Sequence, residues 1–296
     1  MIRRGDARRP VPAARPIRSG AARGGAGRSR GIRRRSAGLT PVRAGALLAL
    51  LAGILGLYGL SSSGAFIARH TTVTGATWTA QDTILAALAI PPSQNVFTVS
   101  SAALAGRLAG IPAIRATHVT VAFPDEIRVA VTERRALVTW EIGSHRYLVD
   151  ETGFLFGELG DAPPSAADTL PVIEDARAVA AALAVGTSID PVTLDAALRI
   201  GSLTPADLGS AAQGITIRVD DKDGFTVTAR PTGWTAVFGF YTPTLRTTDL
   251  IRGQVRLLRS LLYGREAGVL RIVLADDRSG TYVPRPGASS SPSLKP

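Results

Sequence analysis

The chain has 296 residues but no cysteine, one methionine and only 5% aromatic residues. Without cysteine its fold cannot be held by disulfides, although cysteine-free chains occur both inside and outside the cell. The histidines His70, His118 and His145 lie far apart, and none has another histidine or a carboxylate at a metal-ligand spacing. We expect His118 and His145 to flank strands. With 45% hydrophobic residues, the chain can still bury a core.

Motifs for catalysis or for cofactor binding are also missing. The sequence has no Gly-x-Ser-x-Gly elbow, phosphate loop or dinucleotide fingerprint. Residues 220–224 (DDKDG) resemble the start of a calcium loop but lack its later oxygen ligands, so they predict a solvated hairpin turn. The adjacent acids Asp276 and Asp277, and Glu174 and Asp175, fall in turn-like sequence and need not converge. We therefore predict no catalytic residue, metal, cofactor or small-molecule substrate.

Positive charge is concentrated at the N-terminus. Residues 1–43 contain 13 arginines and a single acid, Asp6, whereas the net charge of the whole chain is +11. This segment has no aromatic residue and is rich in Gly, Pro, Ala and Ser, which predicts a disordered cytoplasmic tail. Nucleic-acid binding is the alternative, but the tail lacks aromatics for base stacking, so a topogenic and lipid-headgroup role is favoured.

An uncharged stretch follows the tail and predicts a transmembrane helix over residues 44–67. No charge occurs between Arg43 and Arg69, a run of 25 residues that is long enough to cross a hydrocarbon core of roughly 30 Å. A cleavable signal peptide is the alternative, but its apolar region is usually only about 7–15 residues long. Arginines before the span predict a single-pass type II protein of the plasma (inner) membrane, with a cytoplasmic N-terminus.

Residues 68–139 predict an α+β unit in the order β-α-α-β-β, an open three-stranded sheet with two helices over one face. Thr77 or Thr79 is predicted to cap the first helix, and Ser100 the second. Two strands with alternating apolar positions, joined by a tight turn at Pro124–Asp125, complete the unit.

The spacing of apolar, glycine and proline positions across this unit carries a family resemblance. The positions concerned are Val73, Gly75, Asn95, Phe97, Ile111, Pro112, Ile114, Val119, Phe123, Pro124, Ile127, Val129, Val131, Glu133, Arg134 and Trp140. They resemble the POTRA domain of the FtsQ/DivIB bacterial division proteins. The resemblance continues through residues 147–150 (YLVD), Gly153 and Phe156, but Ala136 stands where the family often has proline. It implies that Glu133, Arg134 and Arg135 lie at the junction with the next domain.

Residues 140–286 predict a β-rich domain with flanking helices, the second domain of the family. Ile251, Val255, Leu258 and Leu262 form one apolar face of its last helix. A Ser/Pro-rich tail at 287–296 is predicted to be disordered. The elements are strands near 145–149 and 153–157, helical segments from Arg177 and near 194–203, a hairpin at Asp223–Gly224, a helix at 244–263, and a terminal hairpin turned at 277–280.

The resemblance implies a scaffold at the division septum that bridges early and late division proteins by binding FtsB/DivIC and FtsL. An unpaired edge strand can accept a partner strand through its backbone N–H and C=O groups. The candidate partner-binding residues are Arg278, Ser279, Gly280, Thr281, Tyr282 and Val283. An ordinary edge strand with no partner is the alternative reading of the same residues.

Two other functions remain open at this stage. A membrane-anchored envelope enzyme would need convergent acids or a nucleophile, and the sequence shows neither. A POTRA-bearing secretion or outer-membrane assembly component usually has repeated POTRA units or a long series of barrel strands. One such unit followed by about 145 residues fits that class poorly.

Overall fold

The computed structural model describes residues 40–286. Most of the predicted tail at 1–43 and the whole of the tail at 287–296 lie outside the described residues. The first helix, α1, runs from Pro41 to Ser61 and is long and apolar enough to cross a membrane. It ends earlier than the predicted boundary at residue 67, because the chain turns through Ser62 and Ser63 into a 3₁₀ turn, Gly64–Phe66.

The next unit has the predicted order β-α-α-β-β. It consists of β1 (His70–Thr74), α2 (Gln81–Leu88), α3 (Ser101–Leu108), β2 (Ile114–Ala122) and β3 (Glu126–Glu133). β3 is central in the sheet, parallel to β1 and antiparallel to β2. The helices bury apolar side chains against it, and the core comprises Ile84, Leu88, Leu104, Leu108, Ile114, Val119, Ile127, Val129 and Val131.

Three local predictions for this unit have different outcomes. Ser100 caps α3 as predicted, because its hydroxyl accepts from the Ala103 N–H at 3.3 Å. The cap prediction for α2 is wrong: Ala80 is the N-cap residue and has no capping side chain. His118 does not flank a strand but lies within β2. Gly75 ends β1 with φ +85°, and an added Cβ would lie 2.1 Å from the Val131 carbonyl oxygen.

The remaining described residues build a nine-stranded mixed sheet. Its strands are β4 (Val138–Ile142), β5 (His145–Val149), β6 (Leu155–Leu159), β7 (Val172–Asp175), β8 (Gly214–Asp220), β9 (Gly224–Arg230), β10 (Thr235–Gly239), β11 (Val269–Leu274) and β12 (Gly280–Pro284). Their order is β12-β11-β10-β9-β8-β7-β4-β5-β6, with parallel pairs β4/β7, β7/β8 and β10/β11. The terminal strands of this order are therefore β12 and β6.

Two helices pack on this sheet, and each begins at a different residue from the one predicted from the sequence. α4 spans Pro191–Gly201 and starts before residue 194, because the Asp190 carboxylate accepts from the Thr193 N–H at 2.9 Å. α5 spans Leu250–Leu262 and starts after residue 244. The chain before it instead forms a turn in which the Leu245 and Arg246 N–H groups donate to the Thr242 hydroxyl.

Buried side chains from the sheet and from its helices form one large core, to which β12 contributes no residue. The predicted apolar face of α5 is present, since Ile251, Leu258 and Leu262 are buried and Val255 packs against them. Trp140, Trp234 and Phe238 are fully buried in the same cluster. The predicted helical segment from Arg177 is a 3₁₀ helix, Ala178–Ala182.

Candidate protein-binding edge and the junction between the sheets

β12 is the last strand in the order of the nine-stranded sheet and is exposed along its whole length. It pairs antiparallel with β11, with Tyr282 opposite Ile272 and Thr281 opposite Val273. All five residues of β12 are exposed, and Tyr282 and Val283 keep 38% of their surface accessible. Within residues 40–286 no strand pairs with the outer side of β12. The described structure therefore presents an open edge.

The six candidate residues divide between a turn and this strand. Gly280, Thr281, Tyr282 and Val283 belong to β12, whereas Arg278 and Ser279 lie in the preceding turn. One Asp276 carboxylate oxygen accepts from the N–H groups of Arg278 at 2.7 Å and Ser279 at 2.6 Å. These two backbone bonds lower the pKa of Asp276 below its ordinary value. A partly exposed carboxylate thus holds the turn that leads into β12.

Helix α5 supports the β11–β12 hairpin from one face. A Cβ at Gly253 would lie 2.3 Å from the Asp277 Cβ, so the turn rests directly on this glycine. A Cβ at Gly280 would meet Leu261 at 3.3 Å and Leu257 at 3.5 Å. Residues 280 and 282 therefore face α5, and residues 281 and 283 face the opposite side. The Tyr282 hydroxyl donates to the Gly268 carbonyl at 3.0 Å.

The ends of β10 and β11 are joined by two side chains, one from the turn before α5 and one from α5 itself. Arg246 donates to the Phe238 carbonyl at 2.7 Å and to the Leu274 carbonyl at 2.9 Å. The fully buried Gln254 amide donates to the same two carbonyls. Its oxygen accepts from the Tyr241 hydroxyl at 2.7 Å, and burial raises the pKa of Tyr241. The base of the terminal hairpin is consequently rigidly held.

Glu133, the last residue of β3, has a structural contact that the sequence did not predict. Its carboxylate accepts from three successive backbone N–H groups, those of Thr77 at 2.6 Å, Trp78 at 2.8 Å and Thr79 at 2.8 Å. The threonines expected to cap α2 are therefore themselves bound through their backbones. The acid holds the β1–α2 loop against the end of the central strand.

Arg134 connects the three-stranded sheet to the segment after β5. Its guanidinium donates to the Asp150 carboxylate at 2.7 Å and to the Pro112 carbonyl at 2.9 Å, and lies 4.6 Å from the centre of the Phe154 ring. Arg135 is exposed. The contacts of Glu133 and Arg134 are those of structural residues at a junction.

Asp150 is the buried member of this junction. Its carboxylate also accepts from the Thr152 hydroxyl at 2.7 Å and amide at 2.8 Å. Burial by itself would raise the pKa of Asp150, but the bonds from Thr152 and Arg134 outweigh it and lower the pKa below its ordinary value. The group is therefore held as a carboxylate at neutral pH.

The other acids singled out in the sequence do not converge. Asp220 accepts from the Lys222 and Asp223 N–H groups of its own hairpin, Asp221 accepts from the Ala178 N–H, and Asp223 pairs with Arg271 at 2.6 Å. Within residues 40–286, no group of three or more His, Asp or Glu side chains is placed to hold a metal ion.

Glu174 and Asp175 lie in β7, so their assignment to a turn is wrong. The buried Asp175 carboxylate pairs with Arg177 at 2.7 Å and accepts from the Trp140 indole N–H at 3.0 Å. This network satisfies a buried charge within the sheet rather than forming an acid–base pair. An acid two residues before an arginine was the only sequence signal for it.

Two comparisons relate the chain to known proteins. Residues 66–134 match a family model described as POTRA domain, FtsQ-type. Cell division protein FtsQ of Mycobacteroides abscessus is 31% identical over 156 residues, which cover 52% of this chain and 47% of that protein. Cell division protein FtsQ of Chloroflexus aurantiacus is 22% identical over 227 residues, which cover 77% of this chain and 73% of that protein. The first match thus spans about half the length of the relative.

Proposed function

Since the comparisons support this chain as a protein of the FtsQ/DivIB family, as its sequence predicted, we propose that it is a non-enzymatic scaffold of the bacterial division machinery. A cell division role of the FtsQ type rests on the FtsQ-type POTRA domain and on two relatives named cell division protein FtsQ. In this role the chain binds FtsB/DivIC and FtsL outside the membrane at the septum. The arginines before α1 keep its N-terminus in the cytoplasm.

The open edge of β12 is the observation that carries this proposal. A partner segment in extended conformation adds to β12 as a further strand, and backbone hydrogen bonds provide most of the affinity. All five residues of β12 are exposed, and the strand is held in place by the Asp276 turn and by α5. A preformed edge lowers the entropy cost of adding a strand.

The side chains of β12 provide selection between partners. Thr281 and Val283 face one side of the sheet, and Tyr282 faces the side of α5. A partner strand therefore meets two small β-branched side chains on one face and one aromatic ring on the other. Gly280 leaves the first position without a side chain, which permits close approach of a partner backbone.

A pair of proline variants tests this edge in the full chain, reconstituted in nanodiscs. Successive N–H groups of β12 point alternately towards β11 and outward. One of the two variants Thr281→Pro and Tyr282→Pro therefore removes an outward donor only, and the other removes a bond to β11. The variant that keeps the parent unfolding temperature is the informative one. We expect it to bind the extracytoplasmic segments of FtsB/DivIC and FtsL at least tenfold more weakly than the parent, roughly the effect of a lost strand contact worth 1.4 kcal/mol.

The matched control lies at the opposite edge of the same sheet. Gly157→Pro and Glu158→Pro alter β6, and the one with unchanged unfolding is expected to bind like the parent. Undiminished binding by the outward β12 variant would overturn the edge mechanism. Absence of binding by the parent to both partners, separately and together, would overturn the scaffold function.

A further inference from the structure

Three phenylalanines form a cluster beside the chain that leaves the membrane-length helix, with Phe66 partly buried and Phe97 and Phe123 exposed. Phe66 lies 4.9 Å from Phe97 between ring centres, Phe97 lies 4.9 Å from Phe123, and Phe66 lies 6.5 Å from Phe123. Phe97 is 52% and Phe123 62% exposed, more than any other phenylalanine among the described residues. In a chain with only 5% aromatic residues, three that touch each other on the surface are a distinct feature.

The cluster lies close to the end of α1 because the connecting chain is bound on both sides. The Asn95 side-chain amide donates to the Ser61 carbonyl at 2.7 Å, and its oxygen accepts from the Phe97 N–H at 2.9 Å. One asparagine thus joins the last turn of the helix to the central ring of the cluster. Ile67 pairs with the same Asn95 through its backbone.

The opposite side of the connecting chain is bound by the β2–β3 turn. The Arg69 and His70 N–H groups donate to the Asp125 carbonyl at 2.9 and 3.2 Å, and the His70 ring contacts the Asp125 carboxylate at 3.2 Å. These bonds place Phe123, two residues before Asp125, beside the chain that leaves the helix. Only four residues separate Ser61 from Phe66.

These contacts hold the cluster next to Ser61, the last residue of α1. The 21 residues of the helix span about 31 Å, which fills a hydrocarbon core of roughly 30 Å. The interfacial layer then extends about 5–8 Å beyond the helix end. A cluster bonded to Ser61 through the Asn95 side chain is within reach of that layer, and phenylalanine is among the residues that bury an apolar surface there.

We propose that Phe66, Phe97 and Phe123 insert into the headgroup region of the lipid bilayer and fix the orientation of the POTRA domain on the membrane surface. The partner that these rings contact is lipid, because the chain that carries them is bonded to the end of the membrane-length helix. Arg69 is exposed next to them, and its guanidinium donates to the Gly64 carbonyl, so a cation lies at headgroup level. The Asp125 carboxylate, which lies nearby, is in hydrogen-bond contact with the His70 ring.

The absence of cysteine from the chain permits a direct test of depth. Phe97→Cys and Phe123→Cys, each introduced separately in the full chain, are labelled with a nitroxide and reconstituted in vesicles of phosphatidylethanolamine and phosphatidylglycerol. Collision of the label with oxygen, which partitions into lipid, is compared with collision with a water-soluble nickel complex. Val179→Cys is the matched control, since Val179 is 65% exposed on the nine-stranded domain.

We expect the oxygen-to-nickel accessibility ratio at positions 97 and 123 to be several-fold higher than at 179. A ratio equal to that of the control would show that the cluster faces water and would overturn the proposal. Shielding from both reagents would show contact with protein instead of lipid and would overturn it as well. Where one labelled variant unfolds at a lower temperature than the parent, the other position decides the outcome.

Discussion

The Arg134 guanidinium donates to the buried Asp150 carboxylate at 2.7 Å and thereby joins the last strand of the three-stranded sheet to the nine-stranded sheet. The side chain of Asp150 is 5% exposed and that of Arg134 is 31% exposed. A buried ion pair adds little net stability by itself, because desolvation offsets the attraction, but removal of one partner leaves an uncompensated buried charge and destabilises the fold. The junction between the sheets therefore depends on this pair.

Arg134→Gln is expected to lower the free energy of unfolding by about 2 kcal/mol, because the Asp150 charge loses its cationic partner. Urea unfolding of the full chain in detergent measures this effect. Arg115→Gln is the matched control, since Arg115 pairs with Glu151 at 3.6 Å with both side chains exposed. Its expected effect is below about 0.5 kcal/mol. Equal effects of the two substitutions would contradict the assigned role of Arg134.

The pH dependence of stability should contain a contribution from Asp150. Its folded-state pKa is lowered, although burial opposes the shift, because Thr152 and Arg134 stabilise the carboxylate. The contribution of Asp150 to the free energy of unfolding is therefore fully present above the unfolded pKa of about 3.9, and it is lost as the pH falls through the lower folded pKa. Between about pH 6 and pH 2, the free energy of unfolding should decrease less steeply with falling pH for Asp150→Asn than for the parent. Parallel profiles would show that the Asp150 pKa is not lowered.

Glu133→Gln should loosen the β1–α2 loop. One oxygen of the Glu133 carboxylate accepts from Thr77 and Trp78, and the other accepts from Thr79. Glutamine has only one acceptor oxygen, so in either orientation of its amide at least one of these N–H groups faces an NH2 donor. We expect a loss of about 2 kcal/mol in unfolding free energy and faster hydrogen exchange at the amides of residues 77–79. Arg135→Gln, at the exposed neighbouring position, is the control and should leave both measurements unchanged. Unchanged exchange in Glu133→Gln would exclude this anchoring role.

Gly253→Ala should displace the turn that precedes β12. The added methyl group would lie 2.3 Å from the Asp277 Cβ, so helix and turn must separate. The expected cost is about 1–3 kcal/mol, accompanied by weaker binding of the β12 partner. Gly106→Ala in α3 provides the contrast, because nothing lies within 4 Å of its added Cβ. That substitution should stabilise the helix by about 0.5–1 kcal/mol. Thermal unfolding of both variants decides between these expectations.

Local patterns predicted most of the secondary structure. Alternating apolar residues predicted β2 and β3, and the Asp223–Gly224 pair predicted the β8–β9 hairpin. Ser100 predicted the start of α3. These signals act within a few residues, so the sequence contains them directly. The start of α5 was predicted six residues too early, since Arg246 is used to bond the ends of β10 and β11 rather than to extend the helix.

Contacts between distant segments could not be predicted in the same way. Glu133 reaches N–H groups more than 50 residues earlier in the chain, and Asp175 is buried with Trp140, which lies 35 residues away. Glu174 and Asp175 were assigned to a turn from their turn-like local sequence, and an acid is seldom fully buried unless it is paired. Only the arginine at 177 and the indole of Trp140 make that burial possible.

The sequence by itself determined a membrane-length helix, an α+β unit with the FtsQ-type POTRA pattern and a β-rich domain after it. Hydrophobic period, turn residues and charge distribution are local properties, and they suffice for these assignments. The tertiary structure alone decided that β12 ends a nine-stranded order, that Arg134 bonds Asp150, and that Phe66, Phe97 and Phe123 meet beside Ser61. These relationships arise when segments far apart in the chain pack together, because burial and hydrogen bonding are satisfied over the whole fold and not within one segment.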